Sequence, residues 1–121
     1  VVLVVDDDSG CRDSFRLVRG DEFELLEAPD GPRALEIVRS TPVDLVLLDV
    51  HLPGMDGIEV GERIKAVDDG IKVILVTAVK TVRTAAAAVK LRAFDCLTKP
   101  FDADELFSLV RRAVVCQNRI C

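Results

Sequence analysis

The chain has 121 residues, half of them apolar, with 21 acidic side chains against 16 Lys and Arg and a net charge of −5. That length and composition suit one domain, 1–121, around one packed core, and the acidic balance argues against direct nucleic-acid contact. No apolar stretch approaches the length of a membrane span, no signal-peptide pattern is visible, and Cys11, Cys96, Cys116 and Cys121 show no C-x-x-C spacing, so they read as reduced thiols of a cytoplasmic protein.

Along the chain, apolar runs alternate with segments of helical period, the pattern of a βα repeat and a parallel sheet. Val1–Val5 predicts the first strand, and Ser9 caps an expected helix carrying Phe15, Leu17 and Val18. Phe23–Leu26 predicts the second strand. Asp30-Gly31-Pro32 opens the second helix, with Pro32 where a missing N–H costs nothing, and Ala34, Leu35, Ile37 and Val38 form its inward stripe until Thr41-Pro42 stops it. The third strand, Val43–Leu48, ends in Asp49. The loop 50–57 leads through Asp56-Gly57, a cap and turn, into a helix reaching about Val67, which Asp68-Asp69-Gly70 breaks. Ile71–Val76 is the fourth strand and ends in Thr77; an Ala-rich helix over about 81–91 follows. Phe94–Leu97 predicts the fifth strand. The last helix starts at Asp102, with Glu105 as its capping partner and Leu106, Phe107, Leu109, Val110, Ala113 and Val114 as its apolar stripe. Five βα units result, without an internal linker. The chain begins without Met inside an apparent strand and stops without a helix-ending signal, so it is expected to be a piece of a longer protein.

In an open parallel sheet, the ligand crevice lies beyond the carboxyl ends of the strands. Asp6 and Asp7 follow the first strand, Asp49 ends the third, Thr77 the fourth, and Lys99 follows the fifth. Carboxylates gathered in one crevice repel unless a cation intervenes, and hard oxygen donors favour Mg²⁺, or Mn²⁺ in its place. Asp49 is the candidate nucleophile, since a carboxylate can attack a phosphoryl group and carry it as an aspartyl phosphate. The remaining work is positioning and charge neutralisation. Asp7 would bind the metal directly, Asp6 through water, and Asp49 would share it with the phosphoryl oxygens. Lys99 would pair with one oxygen. Thr77 would donate to another once the group is present, so it also senses occupancy.

The ordered pieces Val4-Val5-Asp6-Asp7, Asp49-Val50-His51-Leu52-Pro53-Gly54-Met55-Asp56-Gly57, Val76-Thr77-Ala78 and Leu97-Thr98-Lys99-Pro100-Phe101 resemble the receiver domain of two-component response regulators over essentially the whole chain. That resemblance implies a flavodoxin-like, doubly wound α/β fold, with five parallel strands in order 2-1-3-4-5 and five helices. It implies transfer of a phosphoryl group to Asp49 from the phosphohistidine of a sensor kinase or phosphotransfer protein. It implies a backbone-carbonyl metal ligand at His51, a cis Lys99–Pro100 bond, and a small residue, Ala78, that leaves room for the phosphoryl group. It also implies a switch, not an enzyme with turnover of its own.

The pattern departs at Cys96, where the family places an aromatic ring that swings inward with the threonine. A buried core thiol is the plain interpretation; an altered or redox-sensitive switch is the other. Phe94 shares a strand face with Cys96 by alternation but is not that position. Arg92 stands where a helix-ending glycine is common. Val79 and His51 occupy positions that tune phosphoryl lifetime, and an apolar Val79 implies a long one. The side chain of His51 is expected to face solvent, while Asp44 and Asp95 are read as edge or turn residues.

An aspartate-nucleophile phosphatase would need a second Asp two residues after Asp49, where His51 stands. A flavodoxin would need a hydroxyl- and glycine-rich phosphate loop, where Asp6-Asp7-Asp8 would repel the ligand. A receiver attached to a histidine kinase differs only in context. The stretch Thr98–Asp102 resembles receivers of transcription activators, which implies an output domain beyond Cys121. Lys80, Arg83, Lys90 and Arg92, with Asp104, Arg111 and Arg112, give the face of the fourth helix, fifth strand and fifth helix a mixed charge. This suits a regulated homodimer and a solvated surface equally.

Overall fold

Strands form where aliphatic, largely β-branched residues run without interruption. β1 (Val2–Val5) and β3 (Leu45–Asp49) are buried at every position, and β4 (Lys72–Thr77) at every position after Lys72, as strands covered on both faces must be. The computed structural model describes residues 1–6, 25–52, 54, 56–78, 81–98 and 103–117. In it these strands join β2 (Leu25–Ala28) and β5 (Asp95–Thr98) in one five-stranded sheet of order β2-β1-β3-β4-β5, every neighbouring pair parallel. The chain leaves β1 toward one edge and returns at β3 to build toward the other. The winding therefore reverses between β1 and β3, the place where such sheets open a crevice.

Four helices lie within the described residues: α1 (Gly31–Ser40), α2 (Gly57–Val67), α3 (Val82–Lys90) and α4 (Ala103–Gln117). The helix expected after Ser9 falls outside them, so the expected second to fifth helices are α1 to α4. Asp30 caps α1 by accepting from Arg33 N at 3.0 Å, and the buried side of α1 is Gly31, Ala34, Leu35, Ile37 and Val38. The capping role expected of Asp102 also lies outside the described residues. Among those residues, no helix is long and apolar enough to cross a membrane.

Strand alternation divides the core into two layers. Leu3, Val5, Val46, Leu48, Val73 and Leu75 meet α1, α2 and α3 on one face. Val2, Val4, Leu45, Leu47, Ile74 and Val76 meet Leu106, Leu109, Val110 and Ala113 of α4 on the other. The second strand runs two residues past its expected end at Leu26. Leu26, Glu27 and Ala28 pair with Leu3, Val4 and Val5, because the partner strand, not local apolarity, sets where pairing ends.

Lys65 ties the last turn of α2 to the head of β4, its Nζ donating to the carbonyls of Ile71 at 2.6 Å and Asp69 at 3.3 Å. Burial, and then the Arg92 and Lys72 cations, lower its pKa below the ordinary lysine value. The folded chain thus releases this proton at a lower pH than the unfolded chain. The cost of keeping Lys65 charged is relieved as pH rises through that window.

The end of α3 shows why glycine is common there. Arg92 N donates to Val89 O at 3.1 Å and Ala93 N to Ala88 O at 2.9 Å, the paired bonds of a Schellman ending. That geometry requires a left-handed residue, and Arg92 adopts φ 52°. Left-handed backbone costs a non-glycine residue about 1 kcal/mol, while the exposed Arg92–Asp69 pair, at 3.7 Å, returns little. Arg92→Gly is expected to stabilise the fold by about 0.5–1 kcal/mol, net of the looser unfolded chain. Urea unfolding should show a higher midpoint at unchanged slope; a lower midpoint would contradict this.

Candidate functional site

The last registered pair of β1 and β3 is Val5 with Leu48. One step further stand Asp6 and Asp49, side by side in sequence register at the winding reversal. Both are buried, Asp6 to 3% exposure and Asp49 to 5%. Asp6 N donates to Ala28 O at 3.1 Å, so the β1–β2 ladder carries Asp6 to the sheet's rim. Val50 N donates to Val76 O at 2.9 Å, doing the same for Asp49 on the β4 side. Alternation puts Asp49 on the face of Leu45 and Leu47 and Asp6 on that of Val2 and Val4, which is one and the same face.

The carboxylate of Asp49 is oriented locally. Its Oδ1 accepts from His51 N at 2.9 Å, the hydrogen bond two residues on by which aspartate folds the chain into a turn. The His51 side chain is exposed, as expected. The loop then passes Gly54, left-handed at φ 77°, and reaches Asp56, whose side chain accepts from Ile58 N at 3.0 Å and caps α2.

Gly57 fixes how closely α2 approaches. Its N donates to Val50 O at 2.9 Å, and a Cβ placed on it would stand 2.1 Å from Asp49 O and 2.7 Å from Val50 Cα. Both obstacles are backbone and cannot rotate away. Gly57→Ala is therefore expected to cost at least about 2–3 kcal/mol, measured by urea unfolding. A loss under about 0.5 kcal/mol, within the range of neutral surface changes, would show that the approach is looser.

Thr77 ends β4 fully buried, at 0% exposure, and pairs in register with Thr98, the last residue of β5. Ala78 follows it and is exposed. The sheet thus gathers Asp6, Asp49 and Thr77 along one rim. Asp7, Lys99 and Pro100 lie outside the described residues, as do Asp8, Val79 and Lys80. Among the described residues, no cluster of three or more His, Cys, Asp or Glu side chains forms a metal cage; the expected direct ligand, Asp7, is not among them.

Cys96 is half-buried in β5 and packs against the layer shared with α1 to α3. Phe94 packs instead against the α4 layer, with Lys72 Nζ 6.0 Å from its ring centroid. The expectation that the two share a face fails because Phe94 precedes β5, so strand alternation does not extend to it. Asp95 opens β5 exposed, its carboxylate accepting from Cys96 N at 2.7 Å. Asp44 sits just before β3, bridging Val1 O and Lys72 N through its backbone at 3.0 Å each. It therefore marks the opposite rim from Asp49.

Among the described residues, the basic side chains on and just after α3 are each paired with an acid. Arg83 pairs with Asp56, Lys90 with Glu62 at 3.4 Å, and Arg92 with Asp69 at 3.7 Å. Sequence reasoning missed these pairs, because no local pattern tells which face of one helix a later helix will meet.

A family model described as the response regulator receiver domain matches residues 2–111. The chain belongs to the response regulator receiver domain family. This receiver domain is 39% identical over 112 residues to sporulation initiation phosphotransferase F of Bacillus subtilis, covering 92% of the chain and 90% of that protein. It is 43% identical over 114 residues to the transcriptional regulatory protein ZraR of Escherichia coli, covering 93% of the chain but 26% of that protein. The chain thus spans nearly all of the first relative and about a quarter of the second. A CheY-like receiver domain from Methanospirillum hungatei superposes with a TM-score of 0.91 at 25% identity, covering 97% of this chain and 94% of the other. The five-stranded order of the receiver fold is the order found here.

Proposed function

We propose that this receiver domain is the phosphoacceptor of a two-component response regulator, taking a phosphoryl group on Asp49 and acting as a switch, not as an enzyme with a separate substrate. The observation that carries this is the pair of buried carboxylates, Asp6 and Asp49, at the winding reversal of a chain in this family. Two carboxylates removed from water at one rim call for a cation, and their oxygens are the hard donors that Mg²⁺ or Mn²⁺ accepts. The buried carboxylates suit such a metal: Asp49, with Asp6 through water, would hold it, and the resemblance adds Asp7 and the His51 carbonyl. When bound, the metal would neutralise charge on the phosphoryl oxygens.

In the transfer itself, a carboxylate oxygen of Asp49 forms a bond to phosphorus as the bond from phosphorus to the donor breaks. The donor is a phosphohistidine nitrogen or the oxygen of an acyl phosphate, and the leaving group departs with its electron pair. The His51 N–H holds the Asp49 carboxylate in one orientation for that attack, which supplies positioning in advance. Lys99 would pair with a phosphoryl oxygen. The Thr77 hydroxyl would donate to another, carrying the event to Ala78 and α3. Cys96 in the place of the usual aromatic ring would weaken rotamer coupling while leaving the acceptor chemistry intact.

A sensor histidine kinase or phosphotransfer protein would be the donor, acting in the cytoplasm. The likeness to ZraR, a transcriptional regulatory protein, supports a transcriptional output carried by another domain. The α3–β5–α4 face, with exposed Asp104, Arg111 and Arg112, would serve as a dimer surface.

Incubation with Mg²⁺ and acetyl phosphate, followed by intact mass, tests the assignment. The chain should gain one phosphoryl group, and Asp49→Asn should gain none. Thr77→Ala and Lys99→Ala should still gain it but lose the accompanying change in the amide spectrum of α3. A full equivalent on Asp49→Asn would refute the acceptor.

A further inference from the structure

The two ends of α3 are held by different forces. Only Thr84 and Ala87 are buried within it, whereas Val82 is 88% and Val89 79% exposed. A helix that buries so little draws little stability from packing. Its carboxyl end is nonetheless pegged. Buried Leu91 lies against Gly61 of α2, so closely that a Cβ at Gly61 would meet Leu91 Cδ1 at 2.8 Å and Leu48 Cδ2 at 3.2 Å.

The amino end is held by polar contacts. Thr81 and Thr84 cap the helix reciprocally, Thr81 N donating to Thr84 Oγ1 at 2.8 Å and Thr84 N to Thr81 Oγ1 at 3.2 Å. Arg83 reaches across to the Asp56 carboxylate at the head of α2. Between the two helices runs an open groove of about 350 Å³, floored by Ile58, Ala86 and Ala87. The Arg83–Asp56 pair closes one end of it and the Lys90–Glu62 pair the other.

We propose that Arg83–Asp56 is a latch and Leu91–Gly61 a pivot, so that the amino end of α3 opens and closes over the groove while the carboxyl end stays seated. An exposed ion pair adds little to a well-packed helix; at this end of α3 it competes with little apolar contact. The latch residue Asp56 immediately precedes Gly57, which rests on the carbonyl of Asp49. Latch and acceptor strand are therefore joined through the hydrogen bond from Gly57 N to Val50 O. The device stands independently of the phosphoryl chemistry proposed for Asp49.

Amide hydrogen exchange on the full chain tests it, comparing the unaltered chain with Arg83→Gln, Asp56→Asn and the double variant. Asparagine keeps the cap on Ile58 N. Each single change should speed exchange at Ala85 to Ala88 about two- to fivefold. The double variant should go no further, and Leu91 and Ala93 should be unaffected. About 0.5 M salt should bring the unaltered chain toward the variants. Gly61→Ala should instead speed exchange at Leu91 and Ala93. Unchanged exchange at Ala85 to Ala88, additive effects of the two substitutions, or an equal rise along the whole helix would overturn the latch. A Gly61→Ala effect confined to Ala85 to Ala88 would overturn the pivot.

Discussion

The pairing of Val5 with Leu48 sets the position of nearly everything at the site. A slip of one residue between β1 and β3 would move Asp6 or Asp49 off the rim and turn its side chain to the opposite layer, since strand faces alternate with a period of two. The apolar residues on both sides of these strands oppose that slip. Val2, Val4, Leu45 and Leu47 match the α4 layer, while Leu3, Val5, Val46 and Leu48 match the other. Two carboxylates are thus driven into a buried position by the aliphatic residues behind them. The packing that stabilises the sheet offsets the cost of desolvating the acids.

From that rim, contacts lead outward through backbone more than through side chains. Asp49 turns the chain through the His51 amide, Val50 holds both Val76 and Gly57, and Gly57 rests on the Asp49 carbonyl. A change at Asp49 therefore meets stiff structure on the α2 side. On the β4 side it meets Val76, the neighbour of Thr77, and beyond that strand comes α3, which has few buried residues of its own. Stiffness near Asp49 and weak anchoring one element away is the distribution that lets a local event bias a larger movement.

Much of this was legible in the sequence because strand ends coincide with abrupt changes of residue type. The runs before Asp6, Asp49 and Thr77 are so apolar that their polar endings stand out. Asp30 and Asp56 announce their helices by capping chemistry, and Arg92 stands where the helix ending demands a left-handed residue. What escaped depends on partners distant in the chain. The carboxyl end of β2 follows β1, not its own apolar residues. Phe94 and Cys96 part company because β5 begins only after Phe94. The Arg83–Asp56 pair joins residues 27 apart, and only the packing of α3 beside α2 brings them together. Asp7 and Lys99 remain named from sequence order and family resemblance, outside the described residues.

The proposal that Asp6 and Asp49 share one divalent ion is tested most directly by adding substoichiometric Mn²⁺ to the isotope-labelled chain and following paramagnetic broadening of its amide signals. If the two carboxylates hold one ion, Asp6, Asp49, Val50 and Thr77 broaden first, Asp44 and Phe94 stay sharp, and excess Mg²⁺ restores the lost signals. Broadening centred on another acidic stretch, such as Asp68-Asp69, with Asp6 and Asp49 unaffected, would contradict the shared site.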